Sequence, residues 1–286
     1  MAGRVEPCMV EYLVTGAAGQ LGHALICTAP STVVGLSHDD VDVSDAGTVH
    51  AAVLRHHPRV VVHAAAWTDV DGCEGDPGRA WRVNVQGTAN VAASCAEIGA
   101  RLIYVSTDYV FDGGGTRPYE PDDPVQPLSA YGSSKLGGEL AVRLLLPHDH
   151  TIVRTSWVFS STGNNFVRSI LRLAVTQAEI RVVNDQWGRP TSADDLCRWI
   201  WLLAETHTIG NFHACNDGAC TWFDFACEIV ALAHCSARVL PVSSLERMGP
   251  ARRPAYSVLS TRAFTKATGL HPRSWRDALL ELGLDA

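Results

Sequence analysis

Tyr131 and Lys135 stand four apart in the stretch Ser129-Ala130-Tyr131-Gly132-Ser133-Ser134-Lys135. On a helix that spacing places both side chains on one face, with Cβ atoms about 5–6 Å apart. A free phenol is a poor acid at neutral pH, with a pKa of about 10, and a nearby ammonium lowers it by favouring the phenolate. A tyrosine so tuned can hand its proton to a carbonyl oxygen while a bound cofactor delivers hydride to the carbon. The chain has six tyrosines, and its only lysines are Lys135 and Lys266. Random placement therefore gives a Tyr with Lys four residues on in about 4% of arrangements. An exposed pair of this kind contributes only a few tenths of a kcal/mol, so its chemistry depends on a fold that brings a hydride donor to it.

The elements that would do so begin at Val10. Val10-Glu11-Tyr12-Leu13-Val14-Thr15 is a short β-branched, apolar run and predicts a strand. It leads into Gly16-Ala17-Ala18-Gly19-Gln20-Leu21-Gly22 and a helical run to about Thr28. Glycines at this junction allow a tight turn, close approach of backbone to a pyrophosphate, and packing of helix on strand. The helix N-terminus then offers free N–H groups and the positive end of its dipole. Thr32–Ser37 predicts the second strand, which ends in Ser37-His38-Asp39-Asp40. The carboxylate that usually holds a ribose 2′-OH there is displaced, and no arginine is adjacent for a 2′-phosphate, so NADPH and NADH stay open. Asp42 and Val43 follow, where an adenine could lie. Val60 to Ala66 is a continuous apolar run that suits a parallel strand covered on both faces, ending in Ala64, Ala65 and Ala66, small enough for a cofactor to lie against. Ala80 to Ala96 predicts a helix and Leu102–Thr107 the next strand. Strands alternating with helices in this way signal an α/β fold, a doubly wound parallel sheet of the Rossmann kind, with ligands beyond the carboxyl ends of the strands. Thr107 and Asp108 occupy such an end, and Pro118–Pro127 forms an acidic, proline-rich rim before the Tyr131 helix.

Composition excludes several classes. Net charge is −7 with no basic stripe, which argues against nucleic acid. Nine cysteines without a C-x-x-C, several inside apolar runs, read as buried thiols of a reducing compartment. No run reaches the ~20 apolar residues of a membrane span, and Met1–Glu11 lacks the apolar stretch of a signal peptide. The expectation is a cytoplasmic protein whose first eight residues form an unstructured leader, with Met9 an alternative start.

Thr151 to Phe159 predicts a further strand, with Trp157 in it, and Asn164-Asn165-Phe166 opens a helix to about Gln177. Arg181 to Thr191 returns to the site, and a helix runs on to about His207. From Gly210 the pattern mixes short strands and helices and ends with Arg252-Arg253-Pro254-Ala255-Tyr256-Ser257 ahead of two short helices. The expected division is a dinucleotide-binding domain of residues 9–163 and 184–207, with a smaller C-terminal α/β substrate domain of residues 164–183 and 208–286 folded over the sheet edge.

These residues together resemble the extended short-chain dehydrogenase/reductase family, in its branch that acts on 4-keto-deoxysugars carried on dTDP. The resemblance rests on Thr15–Gly22, Ala64-Ala65-Ala66-Trp67-Thr68, Ser106–Gly113, Tyr131 to Lys135, Arg154–Val158, Gly163–Phe166 and Arg253-Pro254 with Ser257. It implies a reduction of the C4 ketone of dTDP-4-dehydro-L-rhamnose to dTDP-L-rhamnose, for rhamnose-containing cell-surface polysaccharide. Tyr131 is then the general acid, Lys135 holds the nicotinamide ribose and lowers the tyrosine's pKa, and Thr107 hydrogen-bonds the same oxygen. Gly16, Gly19, Gln20, Leu21 and Gly22 cradle the pyrophosphate, Asp42 and Val43 border the adenine, and Ala64, Ala65 and Ala66 line the cofactor. Thr68, Val70 and Trp157 face the sugar, and Arg253 holds the dTDP part. Other readings on the same fold are another dTDP-4-keto-deoxysugar reductase, a sugar-nucleotide epimerase or dehydratase, and a non-catalytic nucleotide-binding regulator. Tyr109 stands where a dehydratase carries glutamate, which leaves elimination without a base. A magnesium ion and a homodimer stay open at this level.

Overall fold

The computed structural model describes residues 10–247 and 249–284. The expected leader, Met1 to Cys8, and the alternative start Met9 lie outside them. Six strands form one parallel sheet, in the spatial order Gly210–His213, His150–Thr155, Arg101–Thr107, Val60–His63, Tyr12–Thr15, Val33–Leu36. The chain starts in Tyr12–Thr15, steps outward to Val33–Leu36, and then returns past its start to Val60–His63. That reversal opens a crevice beyond the carboxyl ends of the first and third strands.

The continuous apolar strands follow from cover on both faces. Successive side chains of a strand point to opposite sides. Tyr12, Val14, Val60, Val62 and Ile103 join one core, under the helices Gln20–Cys27 and Ala193–Glu205. Leu13, Val61, Leu102, Tyr104 and Ile152 join the other, under Ala46–His56, Gly87–Ile98 and Ala130–Leu145. The helix Ala46–His56 was not legible in the sequence. Only Val49 and Val53 bury from it, too sparse a stripe to read, while Asp45 caps its start through Gly47 and Thr48 N–H and His57 ends it at φ 43°.

A separate core joins the helices Phe166–Thr176 and Trp222–Leu232, the parallel pair Glu179–Val183 and Arg238–Val242, and the helix Trp275–Leu280. This is the smaller α/β unit. The division expected at residue 208 is corrected in one respect. Gly210–His213 pairs with His150–Thr155 and completes the main sheet, because an apolar edge beside His150–Thr155 would otherwise expose backbone donors and acceptors.

Two further expectations change. The strand expected to run through Phe159 stops at Thr155 and resumes for Val158–Phe159, with Trp157 between them in the left-handed region at φ 48°. The helix expected over 80–96 is two helices, Pro77–Trp81 and Gly87–Ile98, joined by a π-helical turn at Arg82–Gln86. Among the described residues, no helix is long and apolar enough to cross a membrane, and eight cysteines stand as free thiols.

Candidate active site

Ala130–Leu145 carries Tyr131 in its first turn and Lys135 one turn later. Ser129 caps it, its hydroxyl accepting the Gly132 N–H at 3.1 Å. The helix lies close on the strand Arg101–Thr107 because Gly138 faces it. A Cβ on Gly138 would stand 2.3 Å from the Tyr104 hydroxyl and 2.7 Å from Asn84 O. Asn84, in the π-helical turn, accepts the Trp67 N–H and donates to Trp67 O and Ser134 Oγ. One buried amide thus joins the loop after the third strand to the Tyr131 helix. Further along, the buried Glu139 carboxylate takes two bonds from Arg154, each 2.8 Å, one from Ser106 and one from Arg143. Burial would raise this carboxyl, but Arg154, Ser106 and Arg143 together hold it below its ordinary value.

Tyr131 and Lys135 are 8% and 3% exposed. Tyr131 packs with Trp67, Val70, Cys73 and Tyr109, its ring edge-on to Tyr109 at 5.7 Å. Lys135 donates from Nζ to Val105 O at 2.7 Å and lies 4.2 Å from the centre of the Tyr104 ring. Burial works against the lowering of the tyrosine expected from the lysine. Burial pushes the Tyr131 phenol well above its usual range, and Asp108 and Tyr109 push it the same way. The opposing influence is its hydrogen bond with Thr107. Burial also brings Lys135 down to about 7, with Glu139 pulling it back up. Thr107 is buried at the end of its strand; its hydroxyl donates to Asp108 Oδ1 at 3.1 Å and accepts the Tyr109 N–H at 3.2 Å.

Two cavities flank this group. The first, about 280 Å³, is lined by Gly16, Gly19, Asp42, Val43 and Ala64 to Ala66. All seven had been expected there. Ser37, His38, Trp67 and Arg79 line it too. Arg79 was invisible to the sequence argument because it comes from beyond the third strand and lies over the Trp67 ring, 4.4 Å from its centre. The other three glycine-run residues serve the turn itself. Gln20 starts the helix, Leu21 packs on the core, and a Cβ on Gly22 would stand 2.0 Å from Gly16 O. Gly16 has φ 77° and touches the Ala65 backbone, where a Cβ would come within 2.7 Å. Gly19 is less crowded: a Cβ there would meet only Gly16 O, at a tight 3.2 Å that a shift of a few tenths of an ångström would relieve. The helix it opens has no side-chain cap, which leaves first-turn N–H groups free for an anion. Room beside a bare backbone and uncapped donors fit a dinucleotide's pyrophosphate. The acids that follow the second strand are already engaged: Asp40 accepts from Ser37 N and Oγ, and Asp42 from Ser44 N and Oγ.

The second cavity, about 940 Å³, is lined by Asp71, Phe166, Arg181, Gln186, Trp222 and Arg253, among others. Arg253, expected to hold the dTDP part, lines this cavity, and Arg252 lines it too. Arg253 is held by Asp71 at 2.8 Å, and Asp71 also accepts the Ala251 N–H. Trp157 lies against Trp222, ring centres 3.5 Å apart and planes 11° from parallel. Trp222 rather than Trp157 lines the cavity wall, and nothing around it in sequence marks it for this place. Val70 packs beside Tyr131, and Thr68 is exposed and lines neither cavity.

Trp67, three residues before Val70, edges the first cavity, and Asp71, one residue after it, edges the second; Trp67 and Val70 pack with Tyr131, which itself lines neither. The buried phenol therefore sits between a crevice suited to a dinucleotide and a cavity suited to an anionic, ring-bearing ligand.

Known proteins share this chain's sequence and fold. Residues 10–284 match the RmlD substrate binding domain family. The spore coat polysaccharide biosynthesis protein SpsK of Bacillus subtilis is 42% identical over 96% of this chain and 96% of its own. The dTDP-4-dehydrorhamnose reductase of Streptomyces griseus is 42% identical over 95% of this chain and 92% of its own. Among solved structures, the dTDP-4-dehydrorhamnose reductase of Bacillus anthracis in complex with NADP superposes with a TM-score of 0.93. It is 36% identical and covers 96% of this chain and 98% of that one.

Proposed function

The chain belongs to the RmlD substrate binding domain family, and from that premise we propose that it reduces the C4 ketone of dTDP-4-dehydro-L-rhamnose to dTDP-L-rhamnose. It is an NADPH-dependent oxidoreductase of dTDP-linked sugars, like the relatives named for that reaction. The observation that carries the reading is the burial of Tyr131 between the two cavities, with Thr107 and Lys135 beside it. The product would feed rhamnose-containing cell-surface polysaccharide, which fits a relative named for spore coat polysaccharide.

A reduced nicotinamide supplies hydride when bound. The chain's own residues do the rest. The glycine run and the Ala64–Ala66 edge hold the dinucleotide against bare backbone. Trp222 offers a flat face, and Arg252 and Arg253 offer guanidinium groups that suit a thymidine diphosphate. Tyr131 keeps its proton until the ketone oxygen gains charge, because burial makes the phenolate costly. It then gives that proton to the oxygen, and the alcohol forms. Lys135 offers a donor for the ribose hydroxyls.

For the cofactor's 2′-phosphate, Arg79 and His38 are at hand in the crevice, while Asp40 is turned to Ser37. NADPH should therefore be used at least as well as NADH. The test is oxidation of each with dTDP-4-dehydro-L-rhamnose and identification of the product by NMR. dTDP-L-rhamnose is expected. Formation of the C4 epimer, or no oxidation, would overturn the substrate assignment. A preference for NADH above roughly tenfold in kcat/KM would overturn the cofactor assignment.

A further inference from the structure

Asp108 follows Thr107 at the end of the catalytic strand, and it is 2% exposed. Both of its oxygens are taken. Oδ1 accepts from Thr107 Oγ1 at 3.1 Å, and Oδ2 accepts from Ser257 Oγ. Ser257 ends the segment whose residues Gly249, Ala251, Arg252 and Arg253 line the larger cavity. Thr107 has one proton, and its oxygen already accepts the Tyr109 N–H. With that proton on Asp108, Thr107 can present only a lone pair toward Tyr131 and a ketone oxygen. An oxygen gaining negative charge is stabilised by donors and not by lone pairs.

We propose that Asp108 is a positioning residue that sets the direction of the Thr107 hydroxyl. The charged carboxylate holds the threonine's proton. The neutral carboxyl donates to Thr107 instead and releases the threonine's proton to the ketone oxygen. Ser257 fixes the plane of the carboxyl and ties this setting to the segment that lines the sugar-nucleotide cavity. No net transfer is added to the reaction. The proton that ends on the product still leaves Tyr131, and the protons of Asp108 and Thr107 move only within their own hydrogen bonds.

The surroundings allow such a change of charge. Burial pushes Asp108 up to about 6, while the Ser257 and Thr107 hydrogen bonds restrain the rise. The other titratable groups facing it are the Tyr109 and Tyr131 phenols, both pushed well above their usual range, and the Cys215 thiol, pushed up to about 11 beside Arg189. None of these changes charge between pH 5 and 8. Lys135, at about 7, is the site's other group in that range.

This inference rests on the ketone reduction proposed above. Its test is kcat at saturating NADPH and dTDP-4-dehydro-L-rhamnose from pH 5.5 to 9, for the wild type, Asp108→Asn and Ser257→Ala, each checked for folding by circular dichroism. An asparagine accepts from Ser257 through its oxygen and donates to Thr107 through Nδ2, so it holds the released setting at every pH. The wild type should fall roughly tenfold to a lower plateau as pH rises through about 6, less than the loss of a whole oxyanion donor because Tyr131 remains. Asp108→Asn should lack that inflection and keep any near 7, with KM for both substrates within about twofold. Ser257→Ala should move the inflection to higher pH, because the lost hydrogen bond favoured the charged form. If Asp108→Asn does not fold, the Ser257→Ala shift decides. An active wild type whose profile is unchanged in Asp108→Asn or unmoved in Ser257→Ala overturns this inference alone. A wild type that reduces no ketone at any pH overturns the functional reading and this inference with it.

Discussion

Replacing Tyr131 by Phe removes one hydroxyl from a ring packed among Trp67, Val70 and Tyr109, so the fold and the crevice should survive it. A positioned acid typically contributes 10²–10⁴-fold. The expected result is a fall in kcat of roughly that size with the NADPH dissociation constant nearly unchanged; wild-type turnover would remove Tyr131 from the role of acid. Lys135→Met reports on a different property of the same pair. The folded protein holds the lysine at about 7, far below its unfolded value of about 10.5. Below pH 7 the lysine is charged in both states, and folding bears the full cost of burying it. Between 7 and 10.5 the folded form discharges first, so that cost fades as pH rises. Lys135→Met should therefore raise the melting temperature of the unliganded protein at pH 6–7, with a gap that closes by about pH 10. The same variant should lower kcat and raise KM for NADPH. The glycine run separates into two functions in the same way. Gly22→Ala drives a Cβ into the Gly16 carbonyl and should destabilise the fold. Gly19→Val meets only Gly16 O, at 3.2 Å, so it should fold more readily than Gly22→Ala and lose NADPH affinity by isothermal titration, because its side chain would stand where the pyrophosphate approaches the backbone.

At the scale of elements, the Ala130–Leu145 helix keeps its place by two devices. Gly138 lets it approach Tyr104, and Glu139 anchors it to Arg154 on the strand His150–Thr155. Arg154 also donates to Pro121 O, in the acidic rim. Both members of the pair are essentially inaccessible, at 2% and 0% side-chain exposure. Breaking such a pair leaves an uncompensated buried charge and typically costs 3–5 kcal/mol. Arg154→Met should lower unfolding free energy by about that much in urea titration. Arg154→Met with Glu139→Met should lose less than the sum of the single changes, since neither then strands the other. Additive losses would show that the two do not act as a unit.

At the scale of the molecule, the Asp71–Arg253 pair joins a helix beside the main sheet to the segment that closes the larger cavity. An arginine in a charge-assisted bond to phosphate contributes about 1.5–3 kcal/mol. Arg253→Ala should accordingly raise KM for the sugar nucleotide by roughly ten- to a hundredfold and leave KM for NADPH within about twofold. Equal effects on both would place the nucleotide elsewhere.

Much of this was legible in one dimension. The continuous apolar strands, the glycine run between a first strand and a first helix, and the Tyr131–Lys135 spacing are local patterns, and local sterics and burial alone determine what they can become. So the sheet and the crevice could be read from Tyr12 to Lys135, with Tyr131 as the candidate acid. What required the fold was every effect that acts through space between distant segments. The strand Gly210–His213 looked like part of the smaller unit, and only pairing with His150–Thr155 places it in the main sheet. Arg79, Trp222 and Asn84 carry no motif; packing brings them to the cavities and to the Tyr131 helix. The sequence also suggested that Lys135 tunes Tyr131, since spacing gives distance but not dielectric. Burial is a property of the assembled core. It pushes the phenol up and the ammonium down together, and leaves Thr107 and Asp108 to direct the proton.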